Sequence, residues 1–192
     1  DTITVVSFND EIDGGAGLDT LSINFSNTGT EVIISLVDGL MYNAQAAAID
    51  RSTLSSIENV EIISDNSVTV FGTDTDNRIT TASGNDTIHL GGGTNVVNSG
   101  AGSDHIYITG SGSTANLGLG NDFVTTSSFD SALDGGEGTD KLILSPNSFE
   151  TPLTINFELQ TVTSTAASGS INIANFEQYE FSETDTITIY GT

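Results

Sequence analysis

Four aspartates recur at an interval of 18 residues: Asp86, Asp104, Asp122 and Asp140. Midway between them the corresponding positions hold Asn77, Asn95, Ser113 and Ser131. Carboxylates do acid–base work or bind cations, and a set spaced by whole periods suits the second. If 18 residues make one full turn of a repeating backbone, the four side chains stack along one edge at roughly 4.8 Å, the usual distance between neighbouring strands. Ionised at that spacing they repel one another strongly. The chain has only three basic residues against 26 acidic ones, so a bound metal ion is the simplest counter-charge. Asp in turns is common enough, but turn preference alone does not explain the period.

The glycines say which metal. Gly84 stands in TASGND, Gly100 and Gly102 in SGAGSD, Gly118 and Gly120 in LGLGND, and Gly135, Gly136 and Gly138 in GGEGTD. An outlying copy, GGAGLD, runs from Gly14 to Asp19. Glycine permits the positive-φ backbone that turns carbonyl oxygens inward. Carbonyls closed by one carboxylate make a flexible cage of hard oxygen ligands, which suits Ca²⁺ better than Zn²⁺ or Mg²⁺. The expected sites lie between successive members of the Asp86, Asp104, Asp122 and Asp140 column, with carbonyls from the turns of Gly84, Gly102, Gly120 and Gly138. A further site is expected to join Asp1 and Asp19, which keep the same spacing. Asn77 and Asn95 could bind through side-chain oxygens, or form an Asn ladder that satisfies its own turns; their edge is expected to be empty or weaker. These residues resemble the RTX (repeats-in-toxin, haemolysin-type) calcium-binding nonapeptide, G-G-x-G-x-D-x-U-x with U a large apolar residue. GGAGLD and GGEGTD match the first six positions in full, and GTDTDN, ending at Asn77, lacks both the second-position and fourth-position glycines.

Something must hold those turns in register. In steps of nine from Val70 the chain reads Val70, Ile79, Ile88, Val97, Ile106, Ala115, Val124, Leu133, Leu142, all apolar. At 36% hydrophobic residues such a run arises by chance on the order of once in a thousand, registers allowed for. A helix needs spacings of three and four, and an isolated strand needs two. A period of nine means one buried side chain per half-turn and predicts an all-β fold, a parallel β-solenoid (β-roll or β-helix) with longer-coil flanks.

A longer repeat organises the rest. Residues 1–25 and 122–146 align at an offset of 121, with Asp1 on Asp122, Phe8 on Phe129, Asp13 on Asp134 and Asp19 on Asp140. Residues 57–73 and 176–192 align at 119, with Glu58 on Glu177 and Glu61 on Glu180. Three segments follow: a β flank over 1–71 carrying one GGxGxD turn, a nonapeptide array over 72–121, and a second flank over 122–192 repeating 1–73. Strands are expected at Thr20–Phe25, Glu31–Val37, Val60–Ile63 and Val68–Phe71, and in the second copy at Lys141–Leu144, Leu153–Leu159, Ile171–Ile173 and Thr186–Tyr190. Leu54, Ile57, Val60 and Ile62, and likewise Ile173, Phe176, Tyr179 and Phe181, should face inward. Met41–Ile49 reads as a loop with one helical turn, because Ala and Gln favour a helix. LSSIENVEI and IANFEQYEF resemble linkers between RTX arrays in large surface proteins, S-layer proteins and adhesins among them.

Composition narrows the function. A net charge of −23 excludes a nucleic-acid partner and opposes compaction unless cations bind. No cysteine is present, which removes a disulfide framework and thiol redox chemistry. No apolar run reaches membrane-spanning length. A chain that starts at Asp1 without Met or signal sequence is expected to be processed or excised, and the acidic, Thr/Ser/Asn/Gly-rich composition suits a secreted or cell-surface bacterial protein. Glu58, Glu61, Glu177 and Glu180 could pair for acid–base work but read as solvated strand faces. His89 and His105 are not one period apart and are expected at the surface without stacking or sharing a metal. The leading function is a calcium-stabilised structural module of an S-layer, adhesin or filament protein, with head-to-tail contacts to copies of itself or to adjacent repeats. The alternatives are a polysaccharide-active enzyme on a parallel β-helix and a carbohydrate- or ice-binding module. The first lacks basic residues beyond Arg51, Arg78 and Lys141. The second lacks an array, since Tyr42, Tyr107, Tyr179 and Tyr190 do not form one and the Thr tracts do not persist.

Overall fold

A computed structural model describes residues 1–25, 30–45, 50–145, 152–164, 169–181 and 186–191. The fold is all-β, and no helix occurs among the described residues. Through the array, successive strands alternate between two sheets, one of 11 described strands and one of 10. In the first sheet Arg78–Thr80 pairs in parallel with Val96–Asn98, then Thr114–Asn116, then Ala132–Asp134. In the second, Val68–Phe71 pairs with Thr87–His89, His105–Ile108, Phe123–Thr126 and Lys141–Leu144. Each partner lies 18 residues further on.

The apolar nine-residue ladder resolves into two columns. Ile79, Val97, Ala115 and Leu133 stack in the first sheet, and Val70, Ile88, Ile106, Val124 and Leu142 in the second. All nine are buried. Stacking in register places each branched side chain on the equivalent one in the next strand, the arrangement that pleated surfaces favour. Leu90, Ile108, Leu117 and Leu144 add a second buried layer two residues downstream.

The flanks interrupt this with antiparallel meanders. Val32–Ser35, Leu40–Asn43 and Arg51–Ser55 form one, inserted in the second sheet between Glu11–Asp13 and Val68–Phe71. Leu153–Asn156, Thr161–Ser164 and Ser170–Ala174 form its duplicate in the first sheet, between Ala132–Asp134 and Ile187–Tyr190. The backbone path repeats in detail. Asn9 and Asp130 have φ of 72° and 65°, Ser56 and Asn175 have 53° and 54°, and Gly39 and Gln160 have 65° and 51°. A non-glycine residue adopts such angles only where its surroundings impose them, so the turns, not merely the sequence, are duplicated.

Of the strands expected in the flanks, Val68–Phe71 and Lys141–Leu144 keep their bounds, Asn59–Ile62 is shifted by one residue, Ser170–Ala174 is longer at both ends, and Thr20–Ile23, Val32–Ser35, Leu153–Asn156 and Ile187–Tyr190 are shorter. Of the residues expected to face inward, Leu54, Ile57, Val60, Ile62, Ile173 and Phe176 are buried, and Tyr179 and Phe181 are partly buried against the same core. Of Met41–Ile49, expected as a loop with one helical turn, Met41–Asn43 belongs instead to the strand Leu40–Asn43, with Met41 fully buried opposite Ile34. Cross-strand pairing and burial outweigh the weak helix propensity of the segment. Residues 46–49 lie outside the described residues.

Candidate metal-binding edge

Asp86, Asp104, Asp122 and Asp140 each sit immediately before a strand of the second sheet. Side-chain exposure is 1% or less at all four. The backbone N–H of Val68 donates to Oδ1 of Asp86 at 2.9 Å, that of Asp86 to Asp104 at 2.9 Å, that of Asp104 to Asp122 at 2.8 Å, and that of Asp122 to Asp140 at 2.8 Å. One oxygen of every carboxylate is therefore committed to the neighbouring period. The other, Oδ2, is buried without a protein partner in all four, and the same holds for Asp19. Such atoms cost several kcal/mol when charged and unpaired. Burial pushes the carboxyl groups of Asp86, Asp104 and Asp122 up to about 6, with repulsion from neighbouring carboxylates adding to the rise at Asp104 and Asp122. The Thr81 hydroxyl and then the Val68 N–H pull the other way at Asp86, the Asp86 N–H and then the Ser99 hydroxyl at Asp104, and the Asp104 N–H at Asp122. Asp140 is also raised by burial, with Glu177 and Asp134 adding like-charge repulsion.

The glycine turns explain why no side chain fills this edge. Gly84, Gly102, Gly120 and Gly138 have φ from 121° to 144°. A Cβ on Gly102 would lie 1.8 Å from the Gly84 carbonyl oxygen, one on Gly120 1.7 Å from that of Gly102, and one on Gly138 1.5 Å from that of Gly120. Turn thus stacks on turn at backbone distance, and only glycine allows the carbonyl rows to approach so closely. Ala101 and Leu119 bridge the turns in parallel, and Leu119–Gly120 pairs with Glu137–Gly138. Side chains that sequence reasoning passed over brace the same stack: Asn85 Oδ1 accepts from Ser103 N–H at 2.8 Å, and Asn121 Oδ1 from Thr139 N–H at 2.9 Å. Their signal was an Asn just before every second Asp of the column, at Asn85 and Asn121, 36 residues apart.

Buried, orphaned carboxylate oxygens beside rows of turn carbonyls fit a hard, oxygen-seeking divalent cation. Among the described residues no three acidic or histidine side chains cluster as a chelating group. An ion here would draw one carboxylate from each neighbouring turn and complete its shell with backbone oxygens. The chemistry of the donor set matches the comparison with known families. A model of the RTX calcium-binding nonapeptide repeat, in four copies, matches residues 1–22, 71–106 and 117–145. These three segments are similar to the RTX calcium-binding repeat. No curated protein matches it.

On the opposite edge, Asn77 and Asn95 are brought together and use both ends of their amides. Asn95 Oδ1 accepts from Asn77 N–H at 2.8 Å, and Asn77 Nδ2 donates to the Glu58 carbonyl at 2.8 Å. Asn95 Nδ2 donates to the Gly92 carbonyl at 2.9 Å, and Ser113 Oγ accepts from Asn95 N–H at 3.2 Å. Here side-chain amides satisfy turn carbonyls at Asn77 and Asn95, whereas Ser131 Oγ, further along the same edge, is buried without a partner.

Three further sets of residues are placed by the fold. Asp1 and Asp19, expected to share a site, lie away from the Asp86 column. They precede Thr2–Val5 and Thr20–Ile23 of the first sheet, on the edge of Asn77 and Asn95. Glu177, Glu61 and Glu180 are exposed, as a solvated face requires, and Glu58 is half-buried, with Glu180 paired to Lys141. Glu58 and Glu177 have a further contact: their Oε2 atoms accept the N–H of Asp19 at 2.9 Å and of Asp140 at 2.8 Å. Finally, an aromatic row exists on the second sheet with a different membership. His89 stacks between Phe71 at 4.7 Å and Tyr107 at 4.4 Å, while His105 stacks on Tyr107 at 4.1 Å. The two imidazoles meet Tyr107 rather than each other, and burial holds both below the ordinary histidine pKa.

Proposed function

We propose that this chain is a calcium-stabilised structural module of a large secreted or cell-surface bacterial protein such as an S-layer protein, adhesin or filament. In this reading the alternating parallel strands form a β-solenoid, with 72–121 as the array between two copies of a flank. Calcium ions lie along the edge of Asp86, Asp104, Asp122 and Asp140, each between two carboxylates and the carbonyls of the glycine turns. The observation that supports this is the run of buried aspartates with one oxygen bonded to backbone and the other without a protein partner. Bound cations neutralise the column and convert binding energy into folding energy. With a net charge of −23, the same cations relieve self-repulsion of the compact chain. Sheet edges that continue into further repeats, or into another copy, would extend the module head to tail. Among the described residues no helix is long and apolar enough to cross a membrane.

The test is calorimetric titration with Ca²⁺, followed by circular dichroism in chelator and in calcium. Saturable binding of several ions with a gain of strand signal is expected. Absence of binding at millimolar calcium would overturn the reading.

A further inference from the structure

We propose that two more calcium sites lie where glycine turns meet the flanks, each closed by a glutamate: Asp140 with Glu177, and Asp19 with Glu58. This rests on the calcium reading of the aspartate column. Within the array, the carboxylate that accepts an Asp N–H comes from 18 residues downstream. At Asp140 the next strand in register is Gln178–Glu180, reached only after the meander. The residue that arrives beside Asp140 is Glu177, 37 residues on, and its Oε2 accepts the Asp140 N–H at 2.8 Å. Glu58 does the same for Asp19 from 39 residues on, at 2.9 Å. The flank thus hands a carboxylate to the place where the array has run out of aspartates.

The site is built twice in the same way. Glu177 and Gln178 N–H both donate to the Asp140 carbonyl, and Glu58 and Asn59 N–H to that of Asp19. A Cβ on Gly135 would lie 2.7 Å from the Asp140 Cβ and 2.1 Å from the Asn175 carbonyl oxygen; on Gly14 it would lie 2.6 Å from the Asp19 Cβ and 2.0 Å from that of Ser56. Asp140 and Asp19 are fully buried, and Oδ2 of each has no protein partner. Asp19 Oδ1 forms an ion pair with the Asp1 ammonium at 2.7 Å, where Asp140 Oδ1 accepts the neutral Asp122 N–H; that ammonium meets Oδ1 and leaves Oδ2 without a partner. A glutamine would accept the same N–H bond without bringing a second negative charge beside a buried carboxylate. Glutamate at both positions makes physical sense where a cation lies between the pair. The two sites fall on opposite edges of the molecule.

Bound calcium in the full chain, counted by equilibrium dialysis, tests this with Glu177→Gln, Glu58→Gln, the double variant and Asp104→Asn. Gln preserves the hydrogen bond, and circular dichroism at saturating calcium verifies the fold of each variant. Each Glu→Gln change is expected to remove one ion or weaken one site at least tenfold, the double variant two. Glu177→Asp, one methylene short, should restore charge but only part of the affinity. If Asp104→Asn lowers the count while both Glu→Gln variants match the parent, the glutamate sites are refuted and the aspartate column stands. If Asp104→Asn also changes nothing, the column reading fails and this proposal with it.

Discussion

The backbone N–H of Asp104 donates to Oδ1 of Asp122 at 2.8 Å, while Asp122 Oδ2 is buried with no protein partner. Each aspartate therefore has two separable jobs. One oxygen holds the next period in register, and the other carries a charge that the protein itself does not compensate.

Separating those jobs is the purpose of Asp104→Asn. The amide oxygen can still accept the Asp86 N–H, but the charge is gone. In chelator this variant should be more stable than the parent by about 1–2 kcal/mol, because an unpaired buried carboxylate is costly. In saturating calcium the order should reverse. Thermal unfolding under both conditions checks it, and the same order in both would show that the charge has no role in binding.

Acidity should act oppositely on the two forms. Asp86, Asp104 and Asp122 are pushed up to about 6 from an ordinary value of 3.8. Between those values the folded chain binds more protons than the unfolded one, so metal-free stability falls as pH rises through that window and is greatest below it. Calcium needs the ionised carboxylates, so its affinity should weaken as pH drops below about 6. Melting temperatures at pH 4.5 and 7 in chelator should decline with pH, and a triple Asp→Asn variant should flatten the slope. A parent melting temperature that climbs with pH in chelator would contradict the burial argument.

Gly120→Ala should cost roughly 2–4 kcal/mol, from positive-φ strain and collision with the turn before it. Its φ is 143°, and the added methyl would meet the Gly102 carbonyl oxygen at 1.7 Å. Gly17→Ala is the control: φ is 124°, but nothing lies within 4 Å of the added carbon. That variant keeps the positive-φ strain without the collision and should lose less, about 1–2 kcal/mol. Equal losses in denaturant titrations would mean that close turn stacking contributes nothing.

Ile106→Ala removes the centre of a column, with Ile88 on one side and Val124 on the other in register. Full burial of Ile106 predicts a loss of about 2–5 kcal/mol, since neighbouring rows cannot collapse into the gap. Tyr107→Ala on the outer face should cost less, about 1 kcal/mol, from lost stacking with His89 and His105. A larger loss at Tyr107 than at Ile106 would reverse this assignment of core and surface.

The sequence by itself determined the repeating part of this protein. Strands alternate side chains with period two, and a turn of fixed length returns the chain to the same place. An 18-residue interval therefore specifies register for Asp86, Asp104 and Asp122 and for Ile88, Ile106 and Val124 alike. The glycine code made the turns legible, and the duplication was readable from Asp19 and Asp140. What the tertiary structure alone decided is where residues land after a stretch without period. Asp19 and Asp140 are equivalent in sequence, yet they precede strands of different sheets, because the strands between them, meander included, reverse the phase. The contacts of Glu58 with Asp19 and of Glu177 with Asp140 were not legible, since the partners lie 39 and 37 residues apart across those meanders. Phe71, His89 and Tyr107 keep the 18-residue interval too, so their row was legible from spacing and only its ring stacking was added by the structure. Local spacing encodes contacts inside a repeat. Contacts across an irregular insertion depend on how many strands that insertion adds, which no short-range pattern records.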